Sequence, residues 1–334
     1  MGSYPVFVLK RFMQLLLIVF LGITATFFIT HATPIDPVQE SIAAIQQMGQ
    51  SDPHAIELMR QTLQSLYGLQ GNIWQQYATF WARLLTGDLG PSLSAFPTPV
   101  SQIIMRALPW TIGLMTVSTI LMFTLGSIIG ALAGYYRKSM VLKIVSLGLI
   151  ALQPIPYYIL AFVLLILFGY VWPVLPINGG YEINRNLNLS WDLILDILRH
   201  SILPALSLVL IGAGGWLTGM RALVSNIVME DYVVFAELGG VPSTRILRSY
   251  VMRNALVPQI TGLAMSLGAI FNGTVITEIV FGYPGIGSLL ISAVHAGDYS
   301  LVLGLSVLSI SGVAIAVFLI DILSPLIDPR IRLE

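Results

Sequence analysis

Six long apolar runs divide the chain, and no charged side chain interrupts any of them. They cover residues 12–30, 107–136, 144–181, 201–220, 255–277 and 301–320. A helix needs about 20 mostly apolar residues to cross the roughly 30 Å hydrocarbon core of a bilayer. The third run is longer than one crossing needs, and Pro173 and Pro176 predict that its helix ends near Tyr170. The pattern therefore predicts an all-α integral membrane protein with six transmembrane helices.

Composition agrees with a lipid environment, since 56% of the residues are hydrophobic and 10% are charged, against roughly 25% charged in soluble domains. So few charges cannot cover the surface of a soluble protein of 334 residues. The formal net charge is zero, which gives no field for binding nucleic acid. The absence of cysteine excludes disulfides and thiolate metal sites. No small-residue cleavage site follows the first run, so it is predicted to remain as a transmembrane helix.

Basic residues predict the orientation of the spans, because cytoplasmic loops of membrane proteins are enriched in Lys and Arg. With the N-terminus inside, eleven of the sixteen Lys and Arg residues fall on the cytoplasmic side. These are Lys10, Arg11, Arg137, Lys138, Lys143, Arg221, Arg245, Arg248, Arg253, Arg330 and Arg332. Both termini are therefore predicted to lie in the cytoplasm.

The first external segment, residues 31–106, is too long for a simple connection and is predicted to carry two helices. Asp52 and Pro53 begin the first, and Gly68 ends it. The second, near residues 73–85, has an aromatic face made of Trp74, Tyr77, Trp81 and Leu84. Two compatible interpretations remain: an amphipathic helix on the membrane surface, or a surface that docks a partner.

Within the spans, small residues and helix breakers stand out. Gly126, Gly130 and Gly134 lie four residues apart and predict close packing against another helix. Gln153 and Pro154 interrupt the third span, and we hypothesise a kink that faces a transport pathway. The residues taken as pathway or gating candidates are Gln153, Pro154, Trp216, Asn272 and Glu278.

Several chemistries have no motif in this chain. None of its lysines follows a glycine, so it lacks the phosphate-binding loop of ATPases. Neither His-Glu-x-x-His nor Gly-x-Ser-x-Gly occurs. Acidic residues and histidines do not form a relay inside the spans, as a proton-driven pump requires. The sequence therefore predicts a transport subunit, not an enzyme, whose energy comes from elsewhere.

The longest cytoplasmic loop, residues 222–254, contains a short helix, a glycine stop and a basic helix. It resembles the cytoplasmic loop of ABC importer permeases, which has an alanine, a glycine and a later proline, here Ala236, Gly240 and Pro258. The chain as a whole is similar to B-type permeases of the dipeptide, oligopeptide and nickel importers. The motifs that carry this resemblance are Pro34-Ile35-Asp36-Pro37, Gly87-Asp88-Leu89-Gly90-x-Ser92, Arg106-x-Leu108-Pro109-x-Thr111, His200-x-x-Leu203-Pro204-Ala205-Leu206, Arg253-Asn254-Ala255-Leu256-x-Pro258, Glu278-x-x-Phe281-x-x-Pro284-Gly285-x-Gly287, Asp298-Tyr299 and Asp328-Pro329-Arg330-Ile331-Arg332.

The resemblance implies a type I ABC importer permease fold in a bacterial inner membrane. It implies three kinds of partner besides membrane lipid: a C-type permease, two cytoplasmic ATPases and an external substrate-binding protein. This chain would bind no cofactor, since ATP and Mg²⁺ would bind to the ATPases. The residues implied in ATPase coupling are Asp231, Ala236, Glu237, Gly239, Gly240, Arg245 and Arg253. Phe235, Glu237 and Gly239 depart from the usual residues around the alanine and glycine.

Peptides are the predicted cargo, with oligosaccharides and nickel as alternatives within the same family. A passive channel and a membrane enzyme are the rival interpretations. The predicted organisation has residues 1–97 as the N-terminal end, first span (about 12–31) and external segment, followed by a transmembrane domain over residues 98–326. Its helices are expected at about 107–134, 144–170, 201–221, 255–278 and 301–323, with the coupling loop at 222–254 and a cytoplasmic tail at 327–334.

Overall fold

The computed structural model describes residues 4–32, 53–182, 190–268 and 275–327, together with residues 42 and 270. The motifs at residues 34–37 and 328–332, the cap at Asp52 and the candidate Asn272 lie outside the described residues. The helices are α1 (Tyr4–His31), α2 (Pro53–Leu66), α3 (Ile73–Leu85), α4 (Val100–Tyr135), α5 (Met140–Leu152), α6 (Tyr157–Leu165), α7 (Trp191–Ile227), α8 (Asp231–Leu238), α9 (Met252–Gly268), α10 (Val275–Val280), α11 (Ile286–His295) and α12 (Tyr299–Ile327).

The all-helical membrane fold is confirmed, and the described residues account for four or five membrane crossings. Helices α1, α4, α7 and α12 are each long and apolar enough to cross a bilayer. Helices α5 and α6, the latter extended by the π-helical segment Ile166–Val171, meet at an angle of 105° and form either one broken crossing or a re-entrant loop. The predicted fifth run, 255–277, begins in α9 and continues through residues that the structure does not describe.

The three glycines of the second apolar run bring α4 and α7 into close contact. A Cβ atom on Gly126 would lie 2.5 Å from the carbonyl oxygen of Ala213, and one on Gly130 would lie 2.5 Å from that of Leu217. Gly134 continues the same register one turn later. Because the partner positions advance with the glycines, the two helices run parallel. The predicted close packing is confirmed.

Helix α1 lies antiparallel to α12. The Tyr4 hydroxyl donates to the carbonyl oxygen of Ile322 at 3.1 Å. The Arg11 guanidinium lies 3.4 Å from the Asp321 carboxylate, so this acidic residue near the end of the last span is paired. The start of the first helix and the end of the last one therefore lie on the same side of the molecule.

The aromatic face of α3 packs along the C-terminal half of α1. The Tyr77 hydroxyl lies 2.8 Å from the Thr24 hydroxyl, and the Trp81 ring stacks on Phe20 with centroids 5.4 Å apart. Further ring contacts join Phe27 to Phe80, Phe27 to Tyr77, and Phe28 to Trp74. The chain's own first span therefore covers part of this aromatic face, while Trp74 stays 66% exposed. The membrane-surface and partner-docking interpretations both stay predictions.

Helices α2 and α3 are also fixed to each other. Helix α2 ends at Leu66, and Gly68 makes the turn with a positive φ of 66°. The Arg83 guanidinium of α3 donates to the carbonyl oxygens of Leu66, at 2.6 Å, and Ser65, at 3.2 Å. These are terminal carbonyls that have no partner within α2, so the arginine satisfies them and holds α2 against α3.

Candidate functional site

Helix α8 lies in the long loop between α7 and α9, and its sequence fixes where it stops. The Val241 N–H donates to the Ala236 carbonyl and the Gly240 N–H donates to that of Glu237, both at 3.1 Å. This pair of bonds is the Schellman arrangement, which requires a left-handed residue one position after the helix cap. Gly240 occupies it with φ 73°. The spacing of alanine and glycine therefore encodes a sharp helix end.

One face of α8 is anchored to the ends of the membrane helices. Val233 is 2% exposed and Ala236 packs beside it. The cluster around Val233, named here the anchor cluster, combines side chains from α4, α7, α9 and the π-helical segment Ile246–Val251. Its other buried members are Ala131, Met220, Val224, Ile246, Leu247, Val251 and Ala255. If α8 is displaced, these helix ends must therefore move with it, because otherwise the packed core would be disrupted.

The opposite face of α8 presents large apolar side chains to solvent. Phe235 is 75% exposed and Leu238 is 81% exposed. At 100° per residue, these two and Asp231 project away from Val233. Helix α8 is therefore apolar on both faces. The chain covers the face that carries Val233 and leaves the face that carries Phe235 and Leu238 exposed. From the sequence, Phe235 was noted only as an unusual residue for the family, and Leu238 was not noted. Two large apolar residues in a loop predicted to face water could have indicated a docking surface.

The charged residues predicted in coupling surround α8 on the same surface. Asp231, Glu237, Arg245 and Arg253 are all exposed. The loop is tied to α9 by the Asn254 amide, which donates to the Tyr232 hydroxyl at 2.8 Å. The roles of these charges in coupling stay predictions.

The pathway candidates fall in different environments. Gln153 packs against α7, with its Nε2 atom 2.8 Å from where a Cβ of Gly214 would lie. Pro154 is exposed at the 105° bend between α5 and α6. The Trp216 ring meets Phe123 edge to face, with centroids 5.3 Å apart. Gln153 therefore packs against α7, the helix that carries Trp216. Contact of these residues with cargo stays a prediction.

Glu278 is fully buried and links three helices. Its carboxylate accepts from the Thr111 hydroxyl at 2.6 Å and from the backbone N–H groups of Gly287, at 2.7 Å, and Ser288, at 3.0 Å. The Thr111 oxygen in turn accepts from the Ile286 N–H at 2.9 Å. The carboxylate therefore caps the start of α11, where the helix dipole favours negative charge.

Glycines make room for this carboxylate. A Cβ on Gly285 would overlap the Glu278 carboxyl group, and one on Gly287 would lie 2.7 Å from the Cα of Val275. The acidic residue, the Pro-Gly-x-Gly turn and the threonine of the second run are thus parts of one structure. We name it the Glu278 lock.

Asp298 forms a second buried link, the Asp298 lock. Its carboxylate accepts from the Ser92 hydroxyl, from the Ser94 N–H at 3.0 Å and Ser94 hydroxyl at 2.8 Å, and from the Leu301 N–H at 3.0 Å. It therefore caps α12 and fixes the loop before α4. Burial and then the Asp298 charge raise the pKa of Tyr67 to about 12, so that hydroxyl stays neutral at physiological pH.

Sequence reasoning noted the motifs of both locks but not their pairing. Thr111 and Glu278 are 167 positions apart, and Ser92 and Asp298 are 206 apart. No periodicity links positions so distant. Among the described residues, no group of three His, Asp or Glu side chains is placed to hold a metal ion.

Comparison with known proteins agrees with the geometry. Residues 126–333 match the family model described as binding-protein-dependent transport system inner membrane component. The chain belongs to this family. The resemblance to ABC importer permeases is thereby confirmed, and the protein is a multi-pass inner membrane transport component.

Curated relatives align over nearly the whole chain. The oligopeptide transport system permease protein AppB of Bacillus subtilis is 29% identical over 94% of this chain and 95% of its own length. The probable D,D-dipeptide transport system permease protein DdpB of Escherichia coli is 28% identical over 92% and 91%. The di/tripeptide transport system permease protein DppB of Pseudomonas aeruginosa is 29% identical over 97% and 98%.

Proposed function

We propose that this permease forms half of the translocation pathway of an ATP-driven peptide importer. The other half is a related C-type permease, two cytoplasmic ATPases supply the energy, and an external binding protein delivers the cargo. Both termini and α8 lie in the cytoplasm. The observation that carries the proposal is the two-faced helix α8, anchored through Val233 and exposing Phe235 and Leu238.

The exposed face of α8 has the chemistry of a docking surface for an ATPase subunit. Phe235 and Leu238 together place two large apolar groups on a short rigid helix, the arrangement of anchor residues in protein interfaces. When the ATPases close around nucleotide, α8 moves with them. The anchor cluster transmits this motion to the inner ends of α4, α7 and α9, which biases the pathway between inward and outward openings.

Peptides are the cargo that the names of the relatives favour, since AppB, DdpB and DppB are all named for peptide transport. Oligosaccharides and nickel are the alternatives within the same class of importer. A passive channel is disfavoured by α8 itself, because a downhill channel has no use for a docking helix joined to its spans.

The deciding experiment reconstitutes this chain with its C-type partner and ATPases in vesicles and supplies a binding protein loaded with peptide. We expect uptake only with ATP. Replacing both anchors, Phe235→Asp with Leu238→Asp, removes most of the apolar contact and is expected to lower co-purification of the ATPases and uptake by at least about tenfold.

Val234→Ala is the matched control, since Val234 lies on the side of the same helix and is 41% exposed. It is expected to keep uptake within about twofold of the unmodified chain, because it shortens a side chain away from the two anchors. Normal ATPase binding by the double aspartate variant contradicts the docking role of α8. Uptake without ATP contradicts the importer itself.

A further inference from the structure

The inner half of α7 exposes a face that does not suit lipid. Between Leu203 and Asn226, the exposed positions are all small or polar: Gly215, Thr218, Gly219, Arg221, Ala222 and Asn226. Helices α1 and α12 instead expose large apolar side chains such as Leu17 and Leu319, which are 56% and 50% exposed. Exposed backbone and polar groups are costly in hydrocarbon, so this face of α7 meets something other than lipid tails.

This face forms one wall of a groove, and α9 forms the other. The groove is lined by Trp216 and the glycines of α7 on one side and by Gln259, Gly262 and Ser266 on the other. The Trp216 ring reaches across, with its Cη2 atom 3.3 Å from where a Cβ of Gly262 would lie. The four glycines, Gly212, Gly215, Gly219 and Gly262, contribute only backbone to the lining of the groove.

Gln259 gives the groove a specific polar group. The residue is only 6% exposed, and its Nε2 atom lies 3.0 Å from where a Cβ of Gly219 would be. Among the described residues, no hydrogen bond involves the Gln259 amide. Gln259 lines the groove and its amide is not enclosed by the described part of the chain. The amide can therefore bond to a molecule that enters the groove.

We propose that the groove is the part of the pathway that contacts moving cargo, and that Gln259 hydrogen-bonds to the backbone of the transported peptide. A primary amide offers a donor and an acceptor, which match the carbonyl and N–H of a peptide group. The glycine wall accepts any side chain, and Trp216 provides an apolar surface. Such a site binds the backbone of a peptide and does not discriminate between peptides of different sequence. This inference rests on the proposed function.

The first test uses the absence of cysteine from the chain. Thr218→Cys and Ser266→Cys place thiols in the groove, and Leu17→Cys and Leu319→Cys place matched thiols toward lipid. In the reconstituted complex, a charged maleimide is expected to modify the two groove thiols, and transport of trialanine is expected to slow that reaction severalfold. The lipid-facing thiols are expected not to react. Groove thiols that do not react, or that ignore cargo, overturn the inference.

The second test removes the proposed hydrogen bond from each side. Gln259→Leu keeps the size of the side chain and removes its amide, and an N-methylated trialanine removes peptide N–H groups. With the unmodified chain, N-methylation is expected to slow uptake roughly fivefold, the effect of one hydrogen bond. With Gln259→Leu, uptake of trialanine is already slower and N-methylation changes it by less than about twofold.

Comparing ratios for the two chains cancels any effect of N-methylation on the binding protein. Equal sensitivity of both chains to N-methylation overturns the contact while leaving the importer intact. Failure of the unmodified complex to take up any peptide refutes the proposed function, and the contact with it.

Discussion

Two fully buried carboxylates determine much of the local structure at the predicted outer side of the molecule. Glu278 and Asp298 each cap the start of a helix and each accept a hydroxyl hydrogen bond from a distant segment. A charge without solvent survives only where several donors replace water. The two acidic motifs are thus explained by the hydrogen bonds that their carboxylates make within the fold.

Removing the Thr111 hydroxyl tests whether the Glu278 lock stabilises the protein. Thr111→Val preserves shape but leaves one carboxylate oxygen and the Ile286 N–H without their partner. The expected loss of stability is about 1–3 kcal/mol, seen as a lower unfolding temperature of the complex in detergent. Thr261→Val is the control, because its hydroxyl bonds only to a carbonyl of its own helix at 3.3 Å. Equal stability of the two variants contradicts the lock.

At the scale of whole elements, the hydrophobic pattern and the Gly and Pro residues that begin or end helices predicted most of the helices. The helix expected near residues 73–85 is observed as Ile73–Leu85, and the Gly126, Gly130 and Gly134 pattern predicted a helix contact. The partner of that contact, the two locks and the groove at Gln259 were not predictable. They join segments far apart in sequence, and local periodicity carries no information about such pairs.

The α4–α7 contact depends on glycine, which has no side chain, at positions 126, 130 and 134. Adding one methyl group at one of these positions therefore tests it. A Cβ on Gly130 would also lie 3.0 Å from the Cα of Leu217, and backbone atoms on both sides cannot rotate away. Gly130→Ala is expected to push the helices apart and cost about 1–3 kcal/mol.

Gly113→Ala, on the same helix, meets nothing within 4 Å. It is expected to be neutral or stabilising by up to about 1 kcal/mol, because alanine favours helix. Unfolding temperatures of the two purified variants make the comparison. A Gly130→Ala protein as stable as Gly113→Ala refutes the close packing.

For the whole molecule, α4 connects the two functional ends. Thr111 of the Glu278 lock and Ala131 of the anchor cluster lie 20 residues apart on one helix. At 1.5 Å per residue that is about 30 Å, the thickness of the hydrocarbon core. In the proposed mechanism, the locks would hold one end of the spans while α8 moves the other. A small displacement at the ATPase would then become a tilt of α4 and α7.

That account requires the locks and α8 to lie on opposite sides of the membrane. Leu85 and Leu238 provide a matched pair, since they are the same residue type and are 80% and 81% exposed. In intact cells whose outer barrier is permeable, a membrane-impermeant maleimide is expected to modify Leu85→Cys but not Leu238→Cys. After the inner membrane is opened and the ATPases are stripped from it, both are expected to react. If Leu238→Cys reacts in intact cells, α8 faces outward, no cytoplasmic ATPase can reach it, and its exposed apolar face must serve an external partner instead.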